Sequence, residues 1–242
     1  MTLKIFTPIY FILFFTNIVE AQKTNNKLKS ASLSLAFGSN QFSTAIDYKY
    51  LWKLGKKERF ATGFGARLTS NFGSKNYYTT APAKLTSGKT GPGVLFGDDI
   101  TQNIDSVFFS TSQVNALNLS INFAYKIKEK ITLGFNIDAI GVSFGSNKTG
   151  TYFPNVGVGS TVSAKPTSFN ALLISDNDKG SLNSELYGQY NFNKKWGAKL
   201  GFQFLFTEYK TNTLVQTTPT GDKNDRFRNK ASQISLGITH IF

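Results

Sequence analysis

The sequence has 242 residues, a length that suits a single domain, with 40% apolar residues, 14% aromatic residues and no cysteine. The lack of cysteine excludes disulfides, thiolate catalysis and cysteine-based metal sites, and the modest apolar fraction excludes a helical membrane protein. The formal net charge is +13, but the basic residues lie mostly in predicted turns and loops rather than on one face, so we do not expect nucleic acid as a partner.

The first segment, residues 1–21, has the pattern of a secretory signal peptide. Lys4 provides a positive n-region, residues 5–19 form an apolar core, and Ala21 is a small residue at the −1 position. The alternative is a membrane anchor, which would need about 20 apolar residues. We therefore predict export and cleavage after Ala21.

Eight later segments alternate apolar and polar residues with the period of two that is typical of strands. In the second segment, Phe42, Ile46 and Trp52 alternate with polar residues such as Asp47 and Lys49. Each segment is long enough to cross a bilayer as a tilted strand, which takes about 9–11 residues. A soluble sandwich or lipocalin-type barrel would alternate too. The segments cover residues 30–38, 42–54, 59–72, 113–127, 131–145, 181–192, 196–209 and 231–242.

The connections between these segments alternate in length. The connections on one side are short and charged. Those on the other side are long and rich in Gly, Thr, Asn, Ser and Lys, except for residues 38–41, which form a short connection. Short periplasmic turns and long external loops are typical of outer-membrane barrels. The short turns are residues 55–58, 128–130 and 193–195, and the long loops are residues 73–112, 146–180 and 210–230.

Aromatic residues gather beside the short turns, as in the interfacial girdle of a membrane barrel. A sandwich would not need such a belt. The girdle consists of Tyr48, Tyr50, Trp52, Phe60, Tyr125, Tyr190, Phe192 and Trp196.

The last segment ends on an aromatic residue preceded by alternating apolar positions. Its members are Ile234, Leu236, Ile238 and Phe242, with His240 between the last two. This pattern resembles the C-terminal signal of outer-membrane barrels, which implies that the barrel-assembly machinery is a partner during biogenesis.

Taken together, residues 28–242 resemble the small outer-membrane barrels of the OmpA-transmembrane, OmpX and OmpW type from Gram-negative bacteria. The resemblance implies an all-β fold, an eight-stranded antiparallel up-and-down transmembrane β-barrel, with both termini periplasmic. We expect residues 22–29 to be a short periplasmic segment and residues 30–242 to be the barrel. Ten strands are an alternative, because residues 155–162 and 169–174 could form an extra hairpin, in or above the membrane.

The inward positions of the predicted barrel are polar and carry both signs of charge, which must pair or stay hydrated in a narrow lumen. Eight strands enclose just enough room for side chains, so we predict a plugged lumen rather than an open channel. If the alternation continues unbroken through the fifth segment, an apolar mouth of the lumen would be lined by Ile140, Val142 and Phe144. A one-residue shift of the strand register would move these side chains to the lipid side. The predicted lumen charge network is Asp47, Lys49, Arg67, Lys126, Asp138, Glu185 and Lys199.

We predict a non-enzymatic barrel that acts through its long extracellular loops, in surface binding or envelope integrity. The alternatives are a narrow channel or OmpW-like passage for small solutes, and a membrane-embedded enzyme. The single His240 lies on the apparent lipid or girdle face, so no catalytic, cofactor or metal residues are nominated. The expected partners are outer-membrane lipid and lipopolysaccharide, together with an extracellular ligand that the sequence does not name.

Overall fold

The computed structural model describes residues 26–173, 177–213 and 215–242. The predicted signal peptide, residues 1–21, lies outside the described residues, as does the first half of the predicted periplasmic segment, residues 22–25. The first strand begins at Lys27, three residues before the predicted start of the barrel. Within the described part of the chain, no helix is long and apolar enough to cross a membrane.

The chain is almost entirely antiparallel β-structure. Thirteen strands are present in the described residues, with one short helix, α1 (Ala83–Thr86), and two 3-10 turns, Gly91–Phe96 and Thr101–Asn103. The strands are β1 (Lys27–Gly38), β2 (Gln41–Leu54), β3 (Phe60–Thr80), β4 (Ser106–Lys128), β5 (Ile131–Phe144), β6 (Lys148–Phe153), β7 (Ser160–Pro166), β8 (Phe169–Ala171), β9 (Leu182–Asn191), β10 (Trp196–Thr211), β11 (Gln216–Thr217), β12 (Lys223–Asn224) and β13 (Arg226–Ile241).

Eight of these strands close into a barrel, which confirms the predicted fold. The ring runs β1-β2-β3-β4-β5-β9-β10-β13 and closes through the pairing of β13 with β1, from Ser30 opposite Ile241 to Gly38 opposite Gln233. Closure pairs the first strand with the last, so none of the eight ring strands is an edge strand of the sheet. All eight predicted segments are ring strands.

The two faces of the barrel differ sharply in polarity. Outward side chains are apolar and exposed, such as Phe64 at 62%, whereas the inward Arg67 on the same strand is 2% exposed. From Phe42 to Trp52 the outward face of β2 is largely apolar over ten residue steps. At about 3.3 Å per residue and a tilt of about 40°, this is roughly 25 Å along the barrel axis, the height of a membrane barrel's apolar belt.

The register of β5 changes at a bulge, which corrects one expectation. Opposite β4, Ser120 pairs with Asp138 but Leu119 pairs with Ile140, so Ala139 is an extra residue. A bulge of one residue reverses the faces of everything beyond it. Ile140, Val142 and Phe144 are therefore exposed on the outer surface, and the prediction that they line an apolar mouth is wrong.

Above the barrel, at the end of the long loops, the ring narrows from eight strands to six. The hairpin of β1 and β2 ends at the turn 39–40, so β13 meets β3 directly, with Phe227 opposite Thr80. β5 and β9 also end, and the β6–β7 hairpin takes their place by pairing with β4 on one side and β10 on the other. We call this second ring, β3-β4-β6-β7-β10-β13, the outer ring.

The outer ring revises the predicted loops. The residues predicted as loops at 73–80, 106–112 and 226–230 are strand extensions. The extra hairpin exists, but it spans Lys148–Phe153 and Ser160–Pro166 rather than residues 155–162 and 169–174. It belongs to the outer ring and does not add strands to the eight-stranded barrel.

Candidate functional site

The lumen contains a neutral cluster of buried charges about halfway along the barrel. Lys199 is its hub, because its Nζ lies 3.0 Å from Glu185 Oε2 and 3.8 Å from Asp47 Oδ2. Three basic and three acidic side chains take part, and each residue is at most 4% exposed. The cluster consists of Asp47, Lys49, Arg67, Asp138, Glu185 and Lys199.

Two further ion pairs complete this cluster. Lys49 Nζ lies 3.3 Å from Asp47 Oδ1. Arg67 Nε lies 3.6 Å from Asp138 Oδ1. Buried charges are costly unless they are paired and hydrogen-bonded, and here three positive and three negative side chains offset each other across the lumen.

Amide and hydroxyl groups donate hydrogen bonds to the carboxylate oxygens that take no part in the ion pairs. Asn118 Nδ2 donates to Asp138 Oδ2 over 2.8 Å, and the backbone N–H of Asn183 donates to the same oxygen over 3.0 Å. Ser235 Oγ donates to Glu185 Oε1 over 2.7 Å. Polar networks rigidify a core when their members are satisfied in this way.

Tyr187 closes the short-turn side of the cluster, where the turns 55–59, 129–130 and 192–195 lie. Lys49 Nζ donates to its hydroxyl over 3.2 Å and lies 4.3 Å from its ring centroid. Gly134 on the neighbouring strand makes room for this ring, since a Cβ there would overlap Tyr187 Cζ. Sequence reasoning did not single out Tyr187, although it has the same inward parity as Glu185.

On the long-loop side of the charges lies a layer of hydrogen-bonded amides. Gln203 Nε2 donates to Ser43 Oγ over 2.7 Å and to Gln233 Oε1, and Asn183 Nδ2 donates to Gln203 Oε1 over 3.0 Å. Ser43 Oγ in turn donates to Gln233 Oε1 over 2.8 Å. These side chains come from strands β2, β9, β10 and β13, so they join opposite walls of the barrel.

The outer ring is filled by an apolar core that follows the amide layer. Tyr209 is its centre: its ring lies 4.8 Å from Phe109 and 5.3 Å from Tyr78, and its hydroxyl donates to Gln113 O over 2.8 Å. The polar-inside pattern of the barrel is therefore inverted here. The core contains Tyr78, Val107, Phe109, Val114, Tyr152, Val162, Ala164, Tyr209 and Phe227.

The edge of this core is held by buried polar contacts in the outer ring, beyond the eight-stranded part of the barrel. Tyr152 Oη donates to Asp105, and burial, with this contact to a carboxylate, raises the pKa of Tyr152 above its ordinary value. On the outer side, Arg228 Nη2 lies 2.8 Å from Glu208 Oε2, and both residues are at most 1% exposed. The sequence offered no signal for Glu208 and Arg228, since both lie where loops or strand ends were expected.

One residue of the predicted lumen network lies apart from the rest. Lys126 is exposed at the short-turn end and makes no ion pair among the described residues. It comes at the end of β4, beyond the buried part of the lumen. The other six predicted charges are brought together.

The remaining predicted residues lie on the outer surface. Ile234, Leu236, Ile238 and Phe242 are all exposed, from 47% to 70%. His240 lies between Trp196 and Phe242 in edge-to-face contact with both, at 4.6 and 4.7 Å between ring centroids. The described part of the chain contains no group of three His, Cys, Asp or Glu side chains that could hold a metal ion.

No protein-family model and no curated protein matches this chain. Solved outer-membrane barrels do match it over most of their length. Neisserial surface protein A is 11% identical over 89% of this chain and 96% of its own, with a TM-score of 0.37. Ail of Yersinia pestis in a phospholipid nanodisc is 10% identical over 89% and 99%, with a TM-score of 0.38. A major outer-membrane protein of Thermus thermophilus is 12% identical over 89% and 99%, with a TM-score of 0.38.

With TM-scores below 0.5, these similarities carry no functional argument. The architecture rests on the strand pairings themselves, and it is that of a closed eight-stranded antiparallel β-barrel with an apolar outer face, as the sequence predicts.

Proposed function

We propose that this protein is a non-enzymatic outer-membrane barrel that does not conduct solutes and acts at the cell surface through its long-loop end. The observation that carries the proposal is the filled interior. The charge cluster, the amide layer and the apolar core of the outer ring follow one another along the axis. The outward apolar belt of roughly 25 Å supports membrane residence.

Single-channel conductance tests the closed lumen. We expect refolded residues 22–242 to give no discrete openings in a planar bilayer, with the heat-dependent gel shift of folded barrels as the control for folding. Reproducible openings would contradict the proposal and favour the narrow channel. In that case Arg67→Ala and Lys199→Ala should change the ion selectivity, because both side chains lie in the lumen.

The β6–β7 hairpin is the part of the long-loop end that we expect to contact a partner. Its tip exposes two apolar side chains, Val156 at 89% and Val158 at 92%. Exposed aliphatic groups on a connection are candidate contact points. Val156→Asp with Val158→Asp should abolish binding to target cells while the gel shift remains; unchanged binding would exclude the hairpin tip.

Deleting residues 210–230 would be a poorer test of surface binding. Part of that segment is β13, whose Phe227 pairs with both β10 and β3 in the outer ring. Its removal would open the ring as well as remove a loop.

A basic ladder on the outer ring supports contact with lipopolysaccharide. Lys165 of β7 lies directly opposite Lys210 of β10, which lies opposite Arg226 of β13. Like charges opposite each other are destabilising unless anions offset them, and Asp225 pairs with Lys210 at 3.3 Å. Lys165→Glu with Lys210→Glu should weaken binding of purified lipopolysaccharide; unchanged affinity would remove this contact from the proposal.

The absence of enzymatic activity is also a proposal. It is supported by the position of His240, the single histidine of the sequence, whose ring makes edge-to-face contacts with Trp196 and Phe242 at the outer surface. The proposal would be contradicted if the protein hydrolysed peptide or ester substrates and the variant His240→Ala lost that activity.

A further inference from the structure

A cavity of about 230 Å³ lies inside the barrel at the short-turn end. A site for one water needs only about 10–15 Å³ by the same measure, so this space can take a small organic molecule. Its inner end is formed by Lys49 and Tyr187, which belong to the charge cluster. The cavity is therefore blind: it opens to the short-turn side and ends at the plug.

One wall of this cavity breaks the polar pattern of the lumen. Leu51, Ala61 and Ala124 point inward and are at most 6% exposed, and Leu28 packs against them. The opposite wall is polar and contains Thr132 and Gln189, among others. Apolar inward residues are not needed to fill a polar lumen, so the wall provides a surface for an apolar group.

The mouth of the cavity has an excess of one positive charge. Lys49 belongs to the neutral charge cluster, and Lys53 is paired with Glu58 at 3.3 Å. The remaining charged lining residues are Arg59, Lys126 and Glu129. In the described chain, no carboxylate lies within 4 Å of the Arg59 or Lys126 side chain. The two cations are neighbours, because the Lys126 N–H donates to Arg59 O over 2.7 Å.

We propose that this cavity binds a small organic carboxylate, with its apolar group on the Leu51–Ala61–Ala124 wall and its charge at Arg59 and Lys126. The guanidinium fork of Arg59 suits a carboxylate, and a single negative charge balances the mouth. A pocket with an apolar lining and a few convergent polar groups is the usual form of a small-molecule site. The site lies at the opposite end from the surface proposed above and does not depend on it.

The test uses 4-(trifluoromethyl)benzoate as the probe and ¹⁹F NMR as the readout, with residues 22–242 folded in nanodiscs of zwitterionic lipid. Empty nanodiscs report partitioning into lipid. We expect saturable binding to the protein. The neutral analogue 4-(trifluoromethyl)benzyl alcohol should bind at least about tenfold more weakly, because its hydroxyl has no negative charge and cannot form the bidentate ion pair of a carboxylate with Arg59.

Two double variants of equal charge change separate a site from general attraction. Arg59→Glu with Lys126→Glu should weaken binding of the probe at least about tenfold. Lys57 and Lys194 lie in exposed turns outside the lining, so Lys57→Glu with Lys194→Glu should change the affinity for the probe less than about twofold. If the first variant fails the gel shift, Arg59→Gln with Lys126→Gln replaces it, and Lys57→Gln with Lys194→Gln becomes the control of equal charge change. Equal effects of the two pairs, equal binding of the alcohol, or no binding beyond that of empty nanodiscs would overturn the proposal.

Discussion

Removing the hub of the charge cluster should destabilise the barrel strongly. At an effective dielectric constant of about 20, Lys199 Nζ and Glu185 Oε2 at 3.0 Å attract each other by about 5.5 kcal/mol before desolvation is counted. Lys199→Met leaves Glu185 and Asp47 buried with one uncompensated negative charge. Breaking a buried pair in this way costs about 3–5 kcal/mol, which is the loss in free energy of unfolding that we expect.

The assay is urea unfolding of the barrel in lipid vesicles, followed by the fluorescence of the two tryptophans. The double variant Lys199→Met with Glu185→Gln restores the neutrality of the cluster. Its free energy of unfolding should be at least about 2 kcal/mol higher than that of Lys199→Met alone, as expected for coupled sites in a double-mutant cycle. Lys53→Met is the matched control: its pair with Glu58 has the similar distance of 3.3 Å but is about one-third exposed, so its loss should cost less than about 1 kcal/mol. Equal costs of the two lysine variants, or additive effects at Lys199 and Glu185, would refute the reasoning.

Two further pairs of variants test the inner and outer faces. Gly134→Ala should lower the free energy of unfolding in urea by about 1–3 kcal/mol, because its Cβ would overlap the ring of Tyr187. Gly188→Ala, with nothing within 4 Å of the new atom, should lower it by almost nothing. A larger loss for Gly188→Ala than for Gly134→Ala would exclude packing against Tyr187 as the cause. Leu200→Arg, at 58% exposure on the belt, should cost about 2–4 kcal/mol in lipid, and Val158→Arg, at 92% exposure on the hairpin tip, should cost under about 0.5 kcal/mol. Equal tolerance at both positions would mean that Leu200 does not face lipid.

The alternation of the sequence was sufficient to predict the eight ring strands. Side chains of a strand point to opposite faces in turn, so parity places Asp47, Arg67 and Glu185 inside and Phe64 outside wherever the register is regular. The same parity would have found Tyr187, which lies two residues after Glu185 on the inward face.

The alternation could not predict the bulge at Ala139. A small residue followed by Ile140 fits either face, so the pattern is equally consistent with two registers. Only pairing against β4 decides between them, because Ile140 faces Leu119 on the lipid side.

Lys126 shows a second limit: parity predicts the face of a residue but not its depth along the axis, and Lys126 lies at the mouth.

By itself, the sequence determined the number of ring strands, their inward and outward faces, and the charged character of the lumen, because each of these follows from the period of two within single segments. The tertiary structure decided which distant segments meet above the barrel. Phe227 pairs with Thr80, and the β6–β7 hairpin inserts between β4 and β10. Such contacts depend on where neighbouring strands end and how the ring closes, so local periodicity carries no information about them. The outer ring, its apolar core and the blind cavity at the other end are products of that closure.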